Sequence, residues 1–158
     1  MTPRRWIPAS LAATVLLVPA CGRQLAQPTA PAPQLRTAGT LYQRLGGYDA
    51  LAAVTDDFLR RMLADPELAP FFEELTTPEK DRVRQMLVDQ LCAATRGPCV
   101  YVGQDMETVH RALGITATDW DRAVGLLLGT LNALGVRPRE REEVLAIVAS
   151  LRDQIVQP

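Results

Sequence analysis

The chain of 158 residues holds one histidine, three cysteines and few aromatic side chains, 5% of the total. A single histidine excludes zinc sites built from two or three imidazoles. The cysteines, Cys21, Cys92 and Cys99, include no Cys-x-x-Cys pair, so the usual structural zinc spacing is also missing. A formal net charge of −1 and the lack of any basic run argue against nucleic acid as a partner. The one compact apolar run, Leu11 to Val18, is too short to cross a bilayer as a stable helix. No stretch alternates apolar and polar residues with period two over a useful length, whereas several carry a 3.6-residue period, so the fold class is all-α.

What the N-terminus does contain is Arg4 and Arg5, the apolar run, and then Pro19-Ala20-Cys21. This is the layout of a secretory signal peptide over residues 1–20. The cysteine at the junction resembles the lipobox of bacterial lipoproteins, which implies lipidation of Cys21 and an exported chain, lipid-anchored to a bacterial membrane and facing the periplasm or the cell surface. Gly22 in place of aspartate points to the outer membrane. Residues 21–40, with Pro28, Pro31 and Pro33 in quick succession, read as an extended tether. Residues 41–158 then form one domain of ordinary size.

Within that domain, Leu41, Tyr42 and Leu45 begin a short helix stopped by Gly46-Gly47. Asp49 is a cap for the next helix, whose face is Leu51, Val54, Phe58 and Met62 with Leu59 beside it, and whose Thr55 hydroxyl can bond a carbonyl one turn back. Asp65-Pro66 ends it, and a tight segment brings Phe71 and Phe72 onto the core. Thr77-Pro78 opens a helix with the inward row Val83, Met86, Leu87 and Leu91. Thr118 with Asp121 caps a helix carrying Trp120, Val124, Leu127 and Leu131, and Pro138 starts a last helix that continues through Ile155.

His110 lies between these elements. With Met106, Val109 and Leu113 it falls at i, i+3, i+4 and i+7, so the imidazole shares the apolar stripe. An imidazole there must find a partner. Either it bonds a backbone carbonyl as a core histidine, or it ligates a metal, and a haem iron needs only one imidazole from the protein. Cys92 and Cys99, in a compartment that permits disulfides, are a bridge, two free thiols or, least well supported, a zinc site with His110.

Four motifs then occur in order: Leu41-Tyr42-x-x-Leu45-Gly46-Gly47; Phe58 followed by Leu63-Ala64-Asp65-Pro66-x-Leu68-Ala69-Pro70-Phe71-Phe72; Gly97-Pro98-x-x-Tyr101-x-Gly103-x-x-Met106-x-x-x-His110; and Leu113-Gly114-Ile115-Thr116. Together they resemble the truncated haemoglobins, the first group in particular, over Leu41 to about Val156. The resemblance implies a two-over-two helical sandwich around haem b, with His110 as proximal iron ligand and its other ring N–H on a nearby carbonyl. Phe58, Phe72, Met106, Ile115, Val124 and Leu127 are then haem contacts.

On the distal side the chain departs from the family. Where the family often carries a tyrosine that donates to the bound gas, this chain has Leu59. A second family donor, often glutamine, maps to Leu87 or to Arg84, with Gln85 as a neighbour. The stripe Val83, Leu87 and Leu91 favours an apolar pocket. The usual Gly-Gly before the histidine helix is Arg96-Gly97, and a Cys92–Cys99 bridge would brace that loop. The resemblance thus implies reversible binding of a diatomic gas: oxygen, nitric oxide or carbon monoxide. Leu59 weakens the case for nitric oxide dioxygenase chemistry, and any turnover needs an external electron donor. The rival readings are a haem-free globin-fold lipoprotein acting as an interaction module, and a thiol switch at Cys92 and Cys99.

Overall fold

Polar side chains set where each helix starts. In a computed structural model, which describes residues 39–157, Thr40 and Gln43 form a capping box that opens α1, Leu41–Leu45. Gly46, at φ +106°, ends α1 and itself caps α2, Gly47–Ala64. Asp49 is therefore not the cap expected for it. It lies in the first turn of α2, where a carboxylate favours the N-terminal dipole. Asp65 takes an extended backbone before Pro66 and stops α2. A 3₁₀ turn, Ala69–Phe72, follows.

α3, Thr77–Ala94, starts at Thr76 rather than Thr77. The Glu79 carboxylate, three residues on, accepts both the Thr76 N–H at 2.8 Å and its hydroxyl at 2.6 Å. The same rule moves the cap of α5, Ala117–Ala133, from Thr118 to Thr116, whose N–H reaches Asp119 Oδ2 at 2.9 Å. Between them lies α4, Met106–His110, five residues long. The last helix divides in two, α6 (Pro138–Ala149) and α7 (Arg152–Ile155). At the break the Ser150 hydroxyl donates to the Ile147 carbonyl at 2.6 Å, a local bond that competes with helix continuation.

Among the described residues there are helices and turns and no strand. α2 packs against α3 and α5, and α6 packs against α1 and α5. The core is Leu41, Val54, Leu127, Leu131 and Val144, with Phe58 and Val148 packed on its margin. Polar ties hold the layers in place. Thr130 donates to Asp57 Oδ2 at 2.9 Å, and Arg122 to Asp65 Oδ1 at 2.6 Å, both joining α5 to α2. Buried Glu140 is paired with Arg44 at 3.1 Å and Arg137 at 2.9 Å, so its charge is compensated. The Thr55 hydroxyl, fully buried, has no partner, contrary to the back-bond expected for it.

The signal-peptide reading, Cys21 and the tether up to residue 38 lie outside the described residues. No described helix is long and apolar enough to cross a membrane.

Candidate functional site

α4 is short, and its geometry depends on its ends. Asp105 caps it, accepting the Thr108 N–H and the Thr108 hydroxyl, each at 2.8 Å. These two bonds hold the Asp105 carboxyl below the ordinary carboxylate range. Met106 follows the cap directly, and its carbonyl lies 2.7 Å from Nδ1 of His110, one turn on. A carbonyl can only accept, so Nδ1 carries the proton, and the lone pair of the neutral ring is on Nε2. Met106 is buried beneath and His110 is half-buried, while Val109 and Leu113 of the same expected stripe are exposed. α4 packs chiefly on α7, with no comparable contact to α2 or α3. The imidazole and the long helices thus belong to separate walls.

The other expected residues share one property. Phe58, Leu59, Phe72, Val83, Leu87, Ile115 and Val124 are all half-buried, neither sealed in the core nor fully in water. On α3 the distinction is sharp. The residues with no exposure on the side packed into the protein are Val88 and Cys92, with Thr95 just beyond. Val83, Leu87 and Leu91 form a second stripe roughly 110–120° around the helix. The periodicity pointed to this second stripe and missed the first.

The two polar candidates are engaged elsewhere. Arg84 grips Asp56 of α2 with Nε and Nη2, the latter at 2.9 Å from Oδ2. Gln85 donates to the Tyr48 hydroxyl at 2.8 Å and to Asp89 at 3.0 Å. Leu59 stands at the edge of the α2 face. It lines an open groove of about 420 Å³ together with Leu63, Ala64, Lys80 and Arg84.

Cys92 and Cys99 are joined in a disulfide, with Cα atoms 5.7 Å apart, so the bridge is the correct choice among the three alternatives. It closes the loop after α3. Gly97 packs so tightly there that an added Cβ would lie 2.5 Å from the Tyr42 ring and 2.6 Å from Cys92 Sγ. Arg96 occupies the left-handed region at φ 64°. Sequence reasoning missed the Asp105–Thr108 cap, although Asp-x-x-Thr before Met106 is a readable signal.

This set of groups fits haem. One imidazole offers a free nitrogen held by a backbone bond, and several separate elements present large apolar side chains only partly removed from water. No group of three or more metal-ligating side chains exists among the described residues, so no competing metal cluster is present there.

Comparison with known proteins agrees. The family model described as Bacterial-like globin matches residues 40–157. The group 1 truncated hemoglobin GlbN of Mycolicibacterium paratuberculosis is 35% identical over 73% of this chain and 83% of its own. The crystal structure of truncated hemoglobin from Tetrahymena pyriformis in the Fe(III) form superposes with a TM-score of 0.70 at 26% identity, covering 76% of this chain and all of that one. The 2/2 hemoglobin from Synechococcus sp. PCC 7002, in the cyanomet state with covalently attached heme, gives 0.67 at 27% identity over 73% and 95% of the two chains. With helices of this order, one oriented imidazole and these relatives, the chain belongs to the bacterial-like globin family and is a group 1 truncated haemoglobin, a haem-binding globin of two-over-two helical fold.

Proposed function

We propose that the domain holds haem b with His110 as the proximal ligand and reversibly binds a diatomic gas, oxygen, nitric oxide or carbon monoxide, while Cys21 is acylated and tethers the exported chain to a membrane. Bound haem supplies an iron able to take up such a gas. The observation that carries the reading is the 2.7 Å bond from His110 Nδ1–H to the Met106 carbonyl. It fixes the tautomer, aims the ring, and leaves Nε2 as the only uncommitted imidazole lone pair in the chain.

The remaining residues define the environment. Phe58, Phe72, Ile115 and Val124 supply apolar surface that a porphyrin would cover, and Leu59, Val83 and Leu87 form a wall without a hydrogen-bond donor. Arg84, although it borders a groove with Leu59, is bonded to Asp56, and Gln85 is bonded to Tyr48 and Asp89. A missing donor of this kind costs about 1–3 kcal/mol, which corresponds to roughly 5- to 150-fold faster gas escape. This favours exchange of ligand over tight oxygen storage. Any catalytic turnover draws electrons from an external donor.

Optical spectra of the ferric, ferrous and carbon monoxide forms test the proposal. A Soret band that shifts with each state is expected. A protein that stays colourless after reconstitution with haem would instead be a globin-fold interaction module. Acylation at Cys21 is read from the intact mass of the protein extracted from membranes.

A further inference from the structure

The segment after the disulfide loop has an unusual surface. From Cys99 to Gly103 burial alternates: Cys99, Tyr101 and Gly103 are half-buried, while Pro98, Val100 and Val102 face out. Val100 is 76% exposed and Val102 75%, well above every other exposed large apolar side chain of the described domain, of which Leu134 is next at 45%. Scattered single apolar residues on a surface are ordinary. Here a segment with one wholly apolar outer face is pinned at three points. Cys99 is bonded to Cys92, the Tyr101 hydroxyl donates to the Gln104 carbonyl at 2.7 Å, and Gly103 is pressed against the Tyr101 ring.

The position of this face identifies its partner. The described chain begins at Gly39, whose carbonyl is held by Arg44 Nη1 at 2.8 Å. Two residues into the helix region, the Tyr42 N–H donates to the Thr95 carbonyl at 2.9 Å, and the Tyr42 ring contacts Gly97. Val100, three residues beyond Gly97, is within about 10 Å of it along the chain. The start of the domain and the apolar segment therefore share one end of the molecule. The chain from Cys21 to Gly39 reaches at most about 60 Å even fully extended. From Arg96 to Gln104 there is a cation and no carboxylate, which suits phosphate headgroups, and the next carboxylate, Asp105, is bonded to Thr108.

We propose that the Pro98–Val100–Val102 face is a membrane-contact surface, which seats the globin on the lipid bilayer that holds its own N-terminus. The proposal rests on the reading of Cys21 as a lipid anchor. The tether keeps the segment at high effective concentration near the surface, so a small apolar area suffices. The contact orients the domain, with the disulfide loop against the lipid.

The acylated full chain is placed in vesicles of phosphatidylethanolamine and phosphatidylglycerol doped with a diazirine-bearing phospholipid. After photolysis, lipid adducts are mapped by mass spectrometry. The expected result is adducts concentrated in peptides covering residues 98–104, reduced roughly tenfold or more by Val100→Asp with Val102→Asp. The Soret band and circular dichroism of that variant should be unchanged. Adducts spread over the whole surface, or a dimer in solution that the double variant abolishes while lipid adducts are absent, would overturn it. In a second arm, residues 1–21 are replaced by hexahistidine and the chain is held on nickel-chelating lipid in the same vesicles. Labelling at 98–104 in that arm, with no acyl group on the cellular protein, rejects the anchor and keeps the contact surface. An acylated protein unlabelled at 98–104 in both arms rejects the contact surface and keeps the anchor.

Discussion

α2 and α3 run eighteen residues each, bury Leu51, Val54, Val88 and Cys92, and are clipped together by Arg84 and Asp56. α4 runs five residues, buries only Met106, and rests chiefly on a four-residue helix near the C-terminus. The leucines of the first wall stay in place through packing along long helices. The imidazole of the second stays in place through a few directional bonds, the Asp105 cap, the Met106 carbonyl and the disulfide upstream. A wall kept by packing tolerates exchange of one apolar side chain for another, whereas a wall kept by single bonds fails one bond at a time.

The largest break is His110→Ala. The variant should fold, by circular dichroism, yet elute from gel filtration without a Soret band, and added imidazole should restore the band. Leu87→Ala, on the opposite wall, should keep its haem. Retention of haem by the alanine variant at position 110 would sink the assignment of the proximal ligand.

Next is the brace. Cys92→Ser with Cys99→Ser removes a short loop closure and should lower unfolding free energy by about 2–3 kcal/mol on the chain-entropy model. If the bridge serves the α4 side, haem loss to a scavenger globin accelerates while carbon monoxide rebinding after photolysis stays as it was. A change in rebinding with no change in haem loss would place its effect on the other wall.

The packed wall can be sharpened by giving it a donor. Leu59→Tyr or Leu87→Gln should slow oxygen dissociation roughly 5- to 150-fold, the reach of one hydrogen bond in an apolar site, as read by stopped-flow. Leu59→Phe, with the ring and no hydroxyl, separates bulk from bonding. Because Leu59 also lines the surface groove with Leu63 and Lys80, a tyrosine that turns outward would leave the rate unchanged and count against Leu59 as a distal residue.

Acid should loosen the cap of α4. Thr108 bonds hold the Asp105 carboxyl below its ordinary range, so the folded value is depressed relative to the unfolded chain. The stabilisation it provides is complete above the unfolded value, about 4, and is lost as pH falls through the lower folded value. Haem retention should decline on the acid side of pH 4, and Asp105→Ala should remove that step. An identical acid profile in the variant would clear Asp105 of the role.

Much of this organisation is legible from residue types, because caps and breakers act locally. Gly46, Asp65-Pro66, Gly135 and Pro138 mark helix ends where they are found. The errors arise where two local solutions overlap. Thr76 and Thr77 are adjacent, and only Glu79 at the correct spacing selects the first. Thr116-x-x-Asp119 and Thr118-x-x-Asp121 are both valid boxes, and the chain uses the earlier. The second stripe of α3 is harder to read for a different reason. Val88 and Cys92 are fully buried while Val83 and Leu87 are half-buried, and periodicity, which finds the row Val83, Leu87 and Leu91, does not say which of two apolar rows lies deeper.

The smallest expected effect compares two helix ends of identical geometry. α3 and α5 both close with the pair of backbone bonds in which the second residue past the cap reaches back five positions: Gly97 N–H to the Cys92 carbonyl at 2.7 Å, and Val136 N–H to the Leu131 carbonyl at 2.9 Å. The residue between cap and closing donor must be left-handed. At the end of α5 it is Gly135, φ 70°, and at the end of α3 it is Arg96, φ 64°. A side chain there costs about 1–2 kcal/mol in the folded state, while glycine gives back about 0.4–1 kcal/mol through the greater freedom of the unfolded chain. Arg96→Gly should therefore stabilise by about 0.5 kcal/mol in urea titration. Gly135→Arg should destabilise by a similar amount, with no disulfide nearby to limit the unfolded chain. A destabilised Arg96→Gly would mean that the arginine side chain itself supports the loop, and the two helix ends would then differ in more than their left-handed residue.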